Sequence, residues 1–396
     1  MAQDDEILEQ QVVETDEVID EPIDDEADQP TINDPVEEDV EVEVTEGEDD
    51  GSEEVEVEED DFYSNLAETL DDRILSRLSD DLITDFKKDK ESRADWEKSY
   101  ISGLDLLGFK NSSDNQPFAG ASSVTHPLLA ESVTQFQAQA FKELLPAQGP
   151  VNTQVIGDDS PEKEQQASRV KDFMNYMITE VMEEYTTDFD QLLFYLPLAG
   201  SAFKKIYYDD VMDRAIAKFI PAEDLVVPYY ATDLKDCERI THVIKMSENE
   251  ILKKQRAGFY REVDILPSRQ DENEVQDKYN QIDGVSGNDD TDNQFNVLEI
   301  HVDLDIEEYE VENSEKNVKI PYIVTIDEGS QEVLSIYRNY SPEDQLFKRK
   351  EYFVHYKFLP GLGFYGFGLI HMIGGLSRTA TAALRQLLDA GTLSNL

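Results

Sequence analysis

The spacing of apolar positions changes once along the chain, from a period near four to a period of two. Leu66, Leu70, Ile74, Leu78, Leu82 and Phe86 recur every four residues, with Leu75 and Ile83 widening the stripe, which predicts an amphipathic helix. A second helix is predicted from Ser92 and Asp95, which resemble a capping box, with Trp96, Tyr100, Leu104 and Leu107 on one face and Gly108 at its end. Pro127 and Pro161 suit the first position of two further helices, where a missing N–H is no loss. The first of these has Leu129, Val133, Phe136, Ala140 and Leu144 on its apolar face. In the other, Ala167, Val170, Met174, Met177, Val181 and Tyr185 keep one face, which predicts a single helix of about seven turns. Its methionines follow the stripe, so the expectation is core packing rather than an adaptable partner groove. A shorter helix, 188–198, precedes Gly200.

Beyond Gly200 the segments 202–209, 215–220, 239–246, 297–306, 318–326, 333–340 and 352–358 read as strands rich in Ile, Val, Tyr and Phe. In 297–306, Leu298, Ile300, Val302, Leu304 and Ile306 face one way and Glu299, His301, Asp303 and Asp305 the other, so one face is expected to be wet. A helix with a Ser247/Glu250 capping box and Gly258 at its end interrupts the run. Residues 267–294 carry only four apolar side chains and are expected to be a mobile insertion. A Gly-rich turn and a last helix, with Ile373, Leu376, Ala380, Leu384 and Leu387 on one face, occupy 361–396. Helices, then an antiparallel-looking sheet, then a helix define an α+β class for 62–396, with the N-terminal helices packed on the sheet.

Charge adds a boundary that periodicity misses. The chain of 396 residues holds 89 acids against 34 bases, and residues 1–61 hold 30 of those acids with no Lys or Arg. Such a segment has too little apolar surface to repay the entropy of ordering, so 1–61 is read as a disordered acidic tail. The acidity argues against coating a DNA duplex, which relies on cations to neutralise phosphates. The single cysteine, Cys237, excludes an internal disulfide and fits a reducing compartment. No apolar run approaches a membrane span, and the N-terminus lacks the regions of a signal peptide.

Candidate chemistry is sparse. Gly361, Gly363 and Gly366 fit G-x-G-x-x-G between a strand and a helix, but no strand follows to complete a βαβ unit and Asp389 stands too far on for a ribose contact. A turn with close backbone packing is the favoured reading. His126, His242, His301, His355 and His371 are scattered singly, without metal-binding spacing, and are read as structural. Neither a GxSxG elbow nor a GxxxxGK[ST] loop is present, and Cys237 has no evident histidine partner. Lys204-Lys205, Lys253-Lys254 and Lys348–Lys350 are too small and dispersed for a nucleic-acid footprint. The reading assigns no catalytic, cofactor-binding or metal residue and expects no enzyme.

The tract PFAGASSVTHP at Pro117–Pro127, continued by LLAESVTQFQAQAFKELLPAQGPV, resembles the upstream half of portal proteins of tailed bacteriophages, in the podovirus-type branch. The resemblance includes RADWEKSYISGLDLLGF, LLFYLPLAGSAFKKIYYD, PAEDLVVPYYATDL, RITHVIKMSENEI and HYKFLPGLGFYGFGLIHMIGGLSRTATAALRQLLDAGTL, and so covers roughly 90–396. It implies a virion protein at one capsid vertex, a dodecameric ring through which DNA is packaged and ejected without sequence-specific binding. The implied partners are further copies of the chain, terminase, capsid protein and tail adaptors, with no cofactor, and with assembly in the host bacterial cytoplasm. By the same resemblance the chain corresponds to the wing half, with 361–396 leading toward a stem and clip beyond Leu396. As a truncated product or fragment it is expected to be monomeric or loosely associated at low salt. The alternatives are an acidic DNA-mimic or chaperone-like protein acting through 1–61 and, further off, a nucleotide-binding enzyme.

Overall fold

In the computed structural model the change of period becomes a change of layer. It describes residues 62–109, 121–157, 160–209, 212–267, 274–284, 294–306 and 318–394; the acidic segment 1–61 and the flanks of the expected insertion lie outside these. The described residues all belong to one compact unit, 57–396. They form a mixed α+β structure of eight α-helices and two antiparallel sheets.

Helix α1, Asp72–Ser92, starts at an Asp71 cap and buries Leu75, Leu78, Leu82, Ile83 and Phe86, part of the predicted stripe. The helix expected to run through Leu66 and Leu70 is shorter, because Leu66 lies in a separate 3₁₀ turn, Leu66–Glu68, and the Asp71 cap starts α1 after Leu70. Both leucines still pack on the same core. Helix α2, Ala94–Leu104, follows after one non-helical residue, Arg93, without a side-chain cap. The expected Ser92/Asp95 capping box is absent because the Ser92 hydroxyl donates back to the Asp89 carbonyl. Helix α3 is Leu128–Leu144, and α4, Pro161–Tyr176, begins with Ser160 as cap and proline in its first turn. The expected seven-turn helix is broken: α4 passes into a π-turn, Met177–Val181, and the chain leaves helical geometry at Met182 before α5, Tyr185–Ala199. Helices α6, Glu248–Arg256, with its complete Ser247/Glu250 capping box, α7, Glu274–Asp283, and α8, Leu369–Ser394, complete the set.

The first sheet has strand order β2-β1-β8, with β1 Ser201–Asp209, β2 Arg214–Pro221 and β8 Phe353–Lys357. The second has order β3-β4-β5-β6-β7, with β3 Leu225–Val226, β4 Arg239–Ser247, β5 Gln294–Leu304, β6 Ile320–Asp327 and β7 Val333–Arg338. Helix α1 covers one face of the second sheet, where Leu298, Ile300, Val302, Val324, Ile326 and Ile336 meet the α1 stripe. Helices α2, α3, α5, α7 and α8 share a separate core around Tyr100, Leu129, Val133, Leu198 and Ile370.

Two further expectations are corrected. The insertion is not wholly without structure: α7 lies inside it, with Val275 buried and Tyr279 and Ile282 packed on the helical core. Three apolar side chains at i, i+4 and i+7 suffice to seat a short helix on a neighbour, although they hardly register in the composition of the segment. The supposedly wet face of β5 is also dry, since His301 is 2% exposed and Glu299 lies largely out of solvent. It packs toward the first sheet. Lys205 of β1 donates to both Glu299 carboxylate oxygens at 2.6 Å, and the rings of His301 and His242 lie 4.9 and 5.9 Å from that of Phe353 on β8. Burial opposes ionisation of Glu299, yet the Lys205 ammonium and the His301 ring hold its carboxyl well below the usual range.

Removing one partner of this pair leaves a desolvated charge. Lys205→Met or Glu299→Leu alone is expected to cost about 3–5 kcal/mol, while the double substitution recovers much of the loss because an apolar pair needs no desolvated charge. Urea unfolding of the three variants checks this; additive losses would show that the pair does not hold the sheets.

Candidate functional site

Four groups of residues were open to a chemical reading, and their geometry separates them. The glycine tract after β8 folds back on itself, with the Phe367 amide donating to the Leu359 carbonyl at 2.8 Å. It is clamped to the α5–β1 junction. The Phe358 amide donates to the Gly200 carbonyl at 3.0 Å, and the Gly366 amide to the Ser201 hydroxyl at 2.8 Å. A Cβ on Gly366 would stand 2.4 Å from the Gly200 carbonyl oxygen, and one on Gly368 2.3 Å from that of Leu198. Gly200 itself has φ +90°, which favours glycine, and ends α5. A Cβ on Gly363, the residue that a dinucleotide motif would use to approach a pyrophosphate, would meet nothing within 4 Å. Gly361, Gly366 and Gly368 are thus spent on backbone-to-backbone packing, and Gly363 is not.

The strand histidines do come together, around Phe353 and Phe203 between the sheets. His301 receives the Asn339 amide on Nδ1 at 3.4 Å and pairs through Nε2 with Glu299 at 2.8 Å. His355 stacks on Phe203 at 4.4 Å and pairs through Nε2 with the Ser201 hydroxyl at 3.1 Å. Burial pushes the pKa values of His242 and His355 down to about 3 and lowers that of His301, so all three rings are neutral at pH 7. His301 and His355 line a cavity of about 200 Å³ with Ile240, Arg349 and Tyr352. The Arg349 guanidinium there is engaged by the carbonyls of Cys237, Leu234 and Lys235. The other two histidines serve helix starts: the His126 amide donates to Thr381 Oγ1, and His371 Nδ1 accepts from the Gly368 amide.

A buried polar cluster that sequence reading missed lies under α2. Arg93 donates to the carbonyls of Ala222, Glu223 and Leu225 and to the Tyr365 hydroxyl. The Glu223 carboxylate accepts from Tyr195 and from Tyr279, and Tyr279 also pairs with Tyr100. Burial raises the Glu223 pKa even though the phenols stabilise its charge. The cluster ties α2, α5, α7 and the link between β2 and β3 together. Only the spacing of isolated tyrosines signals it in sequence, and that spacing has no period.

The remaining residues are also structural in their surroundings. Cys237 is buried and donates to the Arg239 carbonyl, and burial pushes its thiol up to about 11. Lys204 and Lys205 point to opposite sides of β1. Lys204 is 2% exposed with its ammonium 3.9 Å from the Tyr185 ring centre, and burial brings it down to about 8. Lys254 reaches the Tyr260 hydroxyl at 3.3 Å.

The fourth group is apolar and outward. The expected core packing of the methionine helix is corrected: α4 has no buried residue, and Val170, Phe173 and Met174 are exposed. The expected apolar face of α8 is rotated part-way out: Ile373 packs on the helical core and Ala380 and Leu384 are half-buried. Ile370, Gly374, Ser377 and Thr381 are buried, while Leu376 and Leu387 are 62% and 73% exposed. Small residues win the inward face because α8 approaches closely: a Cβ on Gly374 would be 3.2 Å from Leu106 Cδ1, and one on Gly103 of α2 would strike Ile370.

Gly366→Ala is expected to cost about 1–3 kcal/mol through overpacking, and Gly363→Ala to leave the melting temperature unchanged. A phosphate cradle would invert the functional half of that result, with nucleotide affinity lost on Gly363→Ala. The histidines give a pH signature. A folded pKa depressed from 6.5 to about 3 for His242 means that the unfolded chain binds the proton first, so stability is lost as pH falls below about 6.5. The stability gap between wild type and His242→Gln should narrow by about 2 kcal/mol between pH 7.5 and 5, read by urea unfolding. A constant gap would mean that the ring titrates normally.

Among the described residues, no helix is long and apolar enough to cross a membrane, and no group of three or more His, Cys, Asp and Glu is placed to hold a metal ion. No protein-family model and no curated protein matches the chain.

Proposed function

We propose that the chain is a structural subunit of the portal ring of a tailed bacteriophage, part of the conduit through which DNA is packaged and ejected. The observation that carries this reading is the pair of long helices, α4 and α8, whose apolar stripes face solvent. A protein that binds a small ligand gathers apolar side chains with a few polar groups into a concavity. Here the Arg93, Glu223 and Lys205–Glu299 groups are closed on one another, and α4 and α8 expose apolar side chains along their length, which suits contacts between subunits.

Electrostatics supports the same reading. Residues 62–396 hold 59 acids against the chain's 34 bases. A negative body repels phosphate over roughly 8–10 Å at physiological salt, so DNA passes without being gripped. The Lys204-Lys205 pair offers no counter-argument, since both side chains are turned inward, on aromatic rings and on Glu299. In this role the chain carries no catalysis and no cofactor, and its partners are other copies, terminase, capsid protein and tail adaptors at the vertex of the virion.

Immunogold labelling with antibodies raised against residues 62–396 is expected to mark one vertex per particle in a lysate of the phage that encodes the chain. Label spread over the whole shell, or absent from particles, would overturn the portal reading.

A further inference from the structure

We infer that the outward stripe of α4 docks on the outward stripe of α8 in a second copy of this chain. The inference rests on the ring reading above and names the two faces that would meet. Both stripes are continuous. On α4, Ala167, Val170, Met174 and Met177 follow one another at helical spacing, flanked by Phe173, and Val181 extends the line into the π-turn. On α8, Met372, Leu376, Ala383 and Leu387 do the same.

Their dimensions match. From Ala167 to Val181 and from Met372 to Leu387 the stripes run about 21 and 22 Å at 1.5 Å per residue. Helices of that length can pack side by side, ridges into grooves, along most of the line.

Charge selects a copy of the same chain as the occupant. A chain with 89 acids and 34 bases repels its own copies everywhere except where charge is locally balanced. Residues 161–181 carry four acids against three bases, and residues 369–394 two arginines against one aspartate. The stretch 358–377, which leads into the α8 stripe, carries no Asp, Glu, Lys or Arg at all. The two apolar stripes therefore lie on two segments whose charges nearly cancel, with opposite small excesses, one acid on the first and one base on the second, where two like-charged copies can approach. A contact between two different patches is heterologous, and repeated from copy to copy it generates a ring if the rotation closes and an open chain if it does not.

The pairing is tested with two variants of the full 396-residue chain, Phe173→Gln/Met174→Gln on α4 and Leu376→Gln/Leu387→Gln on α8, by sedimentation velocity at high salt. All four side chains are exposed, so both variants should melt like wild type. Wild type is expected to self-associate with rising concentration, and each variant to associate at least about tenfold more weakly. The mixture is decisive. Each variant keeps the stripe that the other lacks, so an equimolar mixture should form heterodimers that grow no further. Variants that associate like wild type, a mixture that stays monomeric, or a wild type that never self-associates would each overturn the docking. The two readings fail separately. Single-vertex labelling combined with variants that associate normally would leave the portal reading standing without this contact, whereas heterodimers from the mixture without vertex labelling would keep the contact and remove the portal.

Discussion

The arrangement of the body depends on joining two sheets through a charged face. Lys205 and Glu299 meet at 2.6 Å with side chains only 14% and 15% exposed, where each alone would carry a desolvation cost of several kcal/mol. Geometry has to repay that cost. His301 supplies a further contact to the Glu299 carboxylate, and Asn339 holds the other side of the His301 ring. Phe353 then closes the space between the histidines of the second sheet and the strand that follows β1 in the first. Because β8 is fixed there, the glycine tract that leaves it meets the backbone at Gly200, and that contact in turn sets where α8 begins. Backbone pairing of β8 with β1, beside the charged face that joins the sheets, thus leads into the contact from which the last helix starts.

Sequence reading captures the elements whose packing is periodic and loses those whose packing is not. The α1 stripe, the seven strand segments and the Ser247/Glu250 box follow from spacing alone, because each side chain acts with neighbours on its own element. The dry face of β5 was illegible because Glu299, His301 and Asp303 are the residues of a solvated face unless a cation stands opposite, and Lys205 comes from a strand 94 residues away. The inward face of α8 misled for another reason. Hydrophobicity chooses Leu376 and Leu387, whereas close helix approach chooses Gly374 and Ser377, and only the position of Leu106 and Ile370 decides between them. The Glu223–tyrosine cluster draws on four separate elements and leaves no local trace.

The glycine tract shows how one pattern serves two chemistries. A phosphate cradle and a tight backbone contact both need residues without a Cβ, so the sequence pattern is the same. They differ in what approaches the backbone. Here Gly366 and Gly368 face the carbonyls of Gly200 and Leu198, so the space a ligand would need beside these two glycines is filled by the chain itself. The cationic side chains that would greet a phosphate are spent likewise, with Arg349 on three carbonyls and Arg93 on three more.

Electrostatics and hydrophobicity are divided between surfaces rather than blended. A strongly anionic protein stays apart from its copies by long-range repulsion, which falls with salt over a Debye length of about 10 Å at 0.1 M. Apolar contact acts only at touching distance and hardly senses salt at that strength. Placing uncharged stripes on two helices of such a body makes association conditional: copies must be brought close, or screened, before the short-range term can act. Neutralising more of the surface would remove that control and leave the exposed leucines of α8 free to bind indiscriminately. In the proposed ring role, where copies would associate with one another and let DNA pass, the high charge and the exposed apolar stripes would be complementary, since each limits what the other would otherwise bind.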